Sequence, residues 1–257
     1  VTASRTDQGA GRPHLVLLHG WGMHPGVWGP FRAALDAHFS VHTPALPGHG
    51  DAPERPGWSP GDLAADWLAA HPGAYWLGWS LGAQVALAAA ALEPARVRGL
   101  LLLGATPRFV QDPGWPCAMP ADDFRAFRAQ CRRDPARALD RFLGLVARGG
   151  DDERGALRAL RRRLGAAPRP ARIALLEGLR VLEETDLRAR LPALRAPTLW
   201  VTGEGDALTP PAAARQAARN QDGARVSFLP GAGHAPFLTH PNELLTMTRQ
   251  WFLAPTP

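Results

Sequence analysis

In Gly78-Trp79-Ser80-Leu81-Gly82 a serine lies between two glycines, and the segments on either side restrict what the chain can become. Ala74-Tyr75-Trp76-Leu77 reads as a buried strand of a parallel sheet, and Gln84 to Leu92 as an alanine-rich helix. A strand that turns into a helix within so few residues forces the residue at the bend into a strained backbone conformation. It also lifts that side chain above the sheet edge. Glycines are expected on both sides, because side chains there would collide with the neighbouring strand and helix. Without such flanks the pentapeptide would be an ordinary turn with a surface serine. Between strand and helix it reads as a nucleophile elbow.

The rest of the chain repeats the alternation. Leu15 to His19 is a short apolar strand running into His19-Gly20-Trp21-Gly22, and Phe31 to His38 a helix. Ser40 to Ala45 is a second strand, ended by Pro47-Gly48; Asp62 to Ala70 is a helix. Val97 to Leu103, Thr198 to Thr202 and Val226 to Leu229 are further strands, and Asn242 to Phe252 closes the chain as an amphipathic helix. Strands alternating with helices predict an α/β fold, a mostly parallel sheet with helices on both faces.

Between 107 and 195 no strand pattern appears. Helix signals stand there instead: Asp134-Pro135 as cap and first turn, Gly149-Gly150 as a stop, Asp151 as a new cap and Gly165 as another stop. The expected organisation is therefore a core of residues 1–106 and 196–257, with 107–195 inserted as a helical cap. Pro168-Arg169-Pro170 reads as a turn between cap helices.

A chain of 257 residues can bury a full core, and 46% hydrophobic with 20% charged residues is globular composition. No apolar stretch reaches the length of a membrane span, and the N-terminus lacks the charged-then-apolar pattern of an export signal. Cys117 and Cys131 are too few for a disulfide framework and stand beside no metal-like spacing, so reduced thiols and a cytoplasmic location are expected. All 29 basic residues are arginine, which reflects compositional bias. Their placement does not. From Thr106 to Arg190 there are 18 arginines against 12 acidic residues, whereas the remainder holds 11 of each. Bias can exchange lysine for arginine but cannot gather charge into one third of a chain. That third reads as a docking face for something acidic.

An activated serine needs a base within reach and an acid to orient that base. On a sheet of this kind the partners follow in the order Ser, Asp or Glu, His, at the carboxyl ends of strands. Asp206 lies just past the Trp200 strand, and His234 just past the Phe228 strand. Glu204 comes two residues too early, Asp222 precedes the last strand, and His240 opens the final helix beside a proline. Catalytic roles are therefore expected for Ser80, Asp206 and His234. The backbone N–H groups of Trp21 and Leu81 should converge as an oxyanion hole, with His19 bracing the glycine loop. No metal or other cofactor is expected: ligand clusters are absent, and no G-x-G-x-x-G opens a helix after the first strand.

These features resemble the α/β-hydrolase superfamily over essentially the whole chain. His19-Gly20-Trp21-Gly22, Gly78-Trp79-Ser80-Leu81-Gly82, Asp140-Arg141-Phe142-Leu143-Gly144-Leu145, Asp186-Leu187-Arg188 and Gly231 to Phe237 resemble the pimeloyl-[acyl-carrier protein] methyl ester esterase family of biotin synthesis. Ala83 departs from the pattern, standing where a second glycine is common. The resemblance implies a serine carboxylesterase acting on an acyl carrier protein that bears a pimeloyl methyl ester. It implies a monomeric enzyme without nucleic-acid or membrane partners. By the same analogy Arg137, Arg141, Arg154 and Arg158 would dock the acidic carrier, the alternative being a solvated helix surface paired with Asp140, Asp151 and Glu153. Phe142-Leu143-Gly144-Leu145-Val146 would line the acyl channel, or form the buried side of a cap helix. Substrate contacts are expected from Trp21, Ser80, Leu81, His234 and that segment. Phe109 and Trp115 are candidates of unfixed direction, while Trp76 and Trp79 belong to the core. A broad carboxylesterase, a carbon–carbon bond hydrolase, a haloperoxidase-like enzyme and a non-catalytic acyl receptor are the competing readings.

Overall fold

A computed structural model describes residues 11–165 and 167–254. Residues 1–10, where the sequence was read for an export signal, lie outside that range. Six parallel strands form one sheet in the order β2-β1-β3-β4-β5-β6: β1 His14–Leu18, β2 Ser40–His42, β3 Ala74–Trp79, β4 Val97–Leu103, β5 Thr198–Gly203 and β6 Arg225–Leu229. The central strands are near-continuous apolar runs because helices cover both faces of the sheet. Four core helices lie between the strands in sequence: α1 Gly29–Asp36, α2 Pro60–Ala70, α3 Leu81–Leu92 and, after the cap, α8 Pro211–Arg219. α2 opens on a capping box, Ser59 and Asp62 each accepting the other's backbone N–H, with Pro60 in the first turn.

The α3 helix is apolar all round and almost wholly buried, with alanines that let it lie close to β3 while α2 packs on it. β2 is shorter than its sequence suggests, ending at His42 instead of Ala45. Pro44 has no N–H for the ladder, and the amide of Leu46 is drawn away to His19 Nε2 at 3.1 Å.

Between β4 and β5 stand four helices, α4 Ala121–Arg133, α5 Pro135–Ala147, α6 Glu153–Leu164 and α7 Arg172–Glu184. α5 packs on α4 and α6, and α7 on α4. Asp134 caps α5 as its sequence signals, accepting Arg137 N–H at 3.0 Å. α6, however, is capped by Asp152 and not Asp151: Asp152 accepts Gly155 N–H, while the backbone N–H of Asp151 donates to Gly231 O at 2.9 Å. The insert is closed at its root. Leu187 N donates to Pro107 O at 3.0 Å, and Arg188 forks onto both Asp112 and Asp186. At its far side Arg163 Nη1 on α6 donates to the carbonyl of Val27 at 2.7 Å. The chain ends in the short α9 Pro236–Thr239 and in α10 Pro241–Leu253. No helix among the described residues is long and apolar enough to cross a membrane.

Candidate active site

Ser80 joins β3 to α3 at φ 56°, ψ −119°, the one positive-φ residue other than glycine among the described residues. Its neighbours enforce this bend. A Cβ on Gly78 would lie 2.5 Å from Ala83 Cα, and one on Gly82 would lie 2.5 Å from Leu18 O. Ser80 N donates to Leu103 O at 3.0 Å, which fixes the bend to the end of β4. The residue is only 8% exposed.

Asp206 follows β5, and its carboxylate is saturated by four donors. Oδ1 accepts the N–H groups of Leu208 and Thr209, each at 2.9 Å, and Oδ2 accepts Thr209 Oγ1–H at 2.6 Å. The fourth donor is His234 Nδ1, 2.8 Å from Oδ2. Both side chains are wholly shielded from solvent. A carboxylate accepting that many donors orients the imidazole with its proton on Nδ1 and its lone pair on Nε2. Nε2 is buried and has no hydrogen-bond partner among the described residues. The ring rests on Gly104, where a Cβ would be 3.0 Å from Nδ1, directly after the Leu103 carbonyl that holds Ser80. His234 and the elbow are thus carried by the same strand end. The sequence reading does not include Thr209; the signal it offers is an aspartate able to accept a backbone N–H two residues on, as Leu208 N–H does here.

The loop after β1 passes over the elbow: a Cβ on Gly20 would lie 3.1 Å from Ser80 Cβ. Two buried histidines hold that loop. His19 bonds Gly20 O through Nδ1 at 2.9 Å and accepts Leu46 N–H through Nε2. His49 accepts Gly22 N–H through Nε2 at 3.2 Å and bonds Pro47 O through Nδ1. Burial, reinforced by neighbouring histidines, lowers the pKa of His19 to about 3 and that of His49 to about 4, so both are neutral and serve as acceptors. No hydrogen bond among the described residues engages the N–H of Trp21 or of Leu81. Leu81 directly follows Ser80, and Trp21 directly follows Gly20, whose added Cβ would meet Ser80 Cβ.

Under the cap lies an apolar cavity of about 320 Å³, within the range of small-ligand pockets. Trp21, Phe124, Phe127, Phe142, Leu145 and Leu208 line it, as does Phe109; Trp115 does not. Trp21 meets Phe142 edge-on at 4.8 Å and donates Nε1–H to Leu175 O at 2.8 Å. The segment from Phe142 to Val146 does not line the cavity as a whole. A helix turns about 100° per residue, so Phe142 and Leu145 face in while Leu143 faces a separate hollow with Gly22 and Leu139. Val146 is buried outside the lining, and a Cβ on Gly144 would meet nothing within 4 Å. Ser80, Leu81 and His234 also lie outside the lining, which on the core side includes Trp21 and Leu208.

Arg137, Arg141, Arg154 and Arg158 are all exposed. Arg141 bonds Gln130 Oε1 at 2.9 Å, lines the apolar cavity, and with Arg133 and Arg137 also lines a recess on the outer surface. No group of three or more His, Cys, Asp or Glu among the described residues is placed to hold a metal ion.

A family model described as the alpha/beta hydrolase family matches residues 15–246. The chain belongs to this family. As an alpha/beta hydrolase it is 44% identical over 248 residues to the pimeloyl-[acyl-carrier protein] methyl ester esterase of Xanthomonas oryzae pv. oryzae (strain MAFF 311018), covering 95% of this chain and 96% of that one. It is 42% identical over 250 residues to the protein of the same name from Stenotrophomonas maltophilia (strain K279a), covering 95% of each. Among solved structures, an esterase from Exiguobacterium antarcticum superposes with a TM-score of 0.83 at 22% identity, covering 95% of this chain and 92% of that one. A bromoperoxidase from Bacillus anthracis gives the same TM-score at 19% identity, covering 94% and 92%. At such identities the structures show a shared alpha/beta hydrolase fold, while the curated relatives carry the esterase likeness.

Proposed function

We propose that this chain hydrolyses the methyl ester of pimeloyl-[acyl-carrier protein], releasing methanol and the free carboxylate in biotin synthesis. Residues 1–106 and 196–257 form the catalytic core in this reading, and 107–195 the cap. Ser80 Oγ adds to the ester carbonyl as its proton passes to His234 Nε2, and the resulting oxyanion takes the N–H groups of Trp21 and Leu81. Asp206 stabilises the imidazolium. The intermediate collapses, His234 returns the proton to the departing methoxide, and methanol leaves an acyl-enzyme. Water, deprotonated by His234, then attacks the acyl carbonyl and restores Ser80.

The single observation that carries the carrier-linked substrate is the position of Arg141. It borders both an exposed arginine surface and the apolar cavity under the cap. An acidic carrier held by Arg137, Arg141, Arg154 and Arg158 can present its acyl arm there, and the cavity receives the methylene chain. The names of the curated relatives point to the same substrate. The carrier acts as substrate and the enzyme as a monomer in the cytoplasm, with neither nucleic acid nor membrane as partner.

The test compares methyl pimeloyl carrier protein with short methyl esters in the parent and in Arg154→Glu. Carrier-linked turnover should fall with the substitution and with added salt, while turnover of the small esters holds. Equal efficiency on both substrates, insensitive to charge and salt, would leave a general carboxylesterase. Failure to restore biotin synthesis in cells lacking the corresponding esterase would count against the assignment independently.

A further inference from the structure

The turn joining α5 to α6 meets the catalytic loops backbone to backbone. Gly149 stands at φ +83°, and a Cβ there would lie 1.8 Å from Gly205 O; a Cβ on Gly205 would lie 1.7 Å from Gly149 O. On its other side a Cβ on Gly233 would lie 2.5 Å from Arg148 O, and one on Gly150 would lie 3.1 Å from Gly233 N. Gly205 directly precedes Asp206, and Gly233 directly precedes His234. The two core loops are tied to each other by Gly205 N–H donating to Ala232 O at 3.0 Å, and to the cap by Asp151 N–H donating to Gly231 O at 2.9 Å. Within the cap the turn is stiffened by Gly149 N–H donating to Glu153 Oε1 at 2.8 Å.

Side-chain contacts absorb a small displacement by changing rotamer, but contacts between main chains cannot. Resting on the assignment of Ser80, His234 and Asp206 made above, we propose that the Arg148–Gly150 turn is a positioning element for the acid and the base. A seated cap and an assembled Asp206–His234 pair are then one state. The helices leaving the turn carry the arginines assigned to the carrier, so displacement of either helix reaches the residues before the acid and the base. Gly149, Gly150, Gly205 and Gly233 are positioning residues; none touches the reacting atoms.

The experiment uses the full chain with Gly149→Ala and Gly150→Ala. It measures p-nitrophenyl butyrate hydrolysis, fluorophosphonate labelling of Ser80, and the far-downfield proton resonance of His234 Nδ1–H. Gly149→Ala should lower kcat about 100-fold, the scale of a ~1 Å misplacement, with KM little changed and the resonance shifted or lost. Gly150→Ala, whose added methyl is less crowded, should show a smaller loss of the same kind. A folded Gly149→Ala protein that keeps the parent kcat and resonance overturns the proposal. So does a rise in KM with the resonance intact, which would mark damage to the pocket alone. Should Gly149→Ala fail to fold, the same criteria applied to Gly150→Ala decide. A parent chain that neither labels nor hydrolyses the ester defeats the serine-hydrolase reading itself, a result separable from all of these.

Discussion

The indole Nε1–H of Trp79 donates to the main-chain carbonyl of His234 at 2.8 Å, and its ring lies 5.6 Å from the imidazole. The residue before the serine therefore holds the residue read as its base. Trp79→Phe keeps an aromatic ring but leaves a buried carbonyl without its donor, a loss of about 1–3 kcal/mol. Urea unfolding should register that loss, and ester turnover should drop on the order of tenfold as the base loop loosens.

Asp206 accepts four donors, so an amide at that position would present an N–H to at least one of them. Asp206→Asn should leave the fold intact and lower kcat by about four orders of magnitude, by favouring the wrong imidazole tautomer. Ser80→Ala should abolish fluorophosphonate labelling. If labelling persists in Ser80→Ala, the nucleophile lies elsewhere.

Acid should unfold the protein in a defined window. His19 and His49 have pKa values lowered to about 3 and about 4, against about 6.5 in an unfolded chain. Below about pH 6.5 the unfolded state therefore binds protons that the folded state refuses, and stability falls as pH falls. The loss should approach about 1.4 kcal/mol per pH unit for each histidine. His49 stops contributing near pH 4 and His19 near pH 3. Unfolding free energies measured from pH 7 to pH 4 check the slope. A flat profile would mean that the two rings take up protons without disturbing the loop.

Arg188 holds the root of the cap through Asp112 and Asp186, and hydrogen bonds to these carboxylates raise its pKa beyond the ordinary guanidinium value. Arg188→Ala removes the fork joining Asp112 to Asp186 and leaves Arg108 as their remaining guanidinium partner. With the group about a quarter exposed, the expected cost is about 1–3 kcal/mol, accompanied by faster proteolysis within 107–195. Limited proteolysis alongside thermal melting separates local opening of the cap from global loss.

Strand and helix alternation made the sheet legible, because a parallel strand covered on both faces must be apolar throughout. The strand-end rule likewise singles out Asp206 and His234, which the structure places in contact. What escaped depends on information that a linear pattern does not hold. The segment from Phe142 to Val146 reads either as a channel lining or as the buried side of a cap helix; helical rotation divides it, with Phe142 and Leu145 facing the cavity and Leu143 and Val146 elsewhere. The expected β2 runs past the observed end at His42 because nothing local says that His19 will claim the amide of Leu46. The arginine excess reads as one surface, although Arg108, Arg128, Arg163, Arg180 and Arg188 are turned to internal partners. Gly149 reads only as part of a helix stop; its meeting with Gly205 is tertiary and has no sequence signature.

The backbone at Ser80 adopts torsions that glycine tolerates far better than serine. Since Gly78, Gly82 and the Leu103 carbonyl impose the bend, the hydroxyl contributes nothing to maintaining it. A Ser80→Gly chain should consequently melt at a higher temperature than the parent while being chemically inert. With Ser80 as the proposed nucleophile, thermal endurance and turnover pull in opposite directions at this one codon, so selection for robustness alone would erase its hydroxyl.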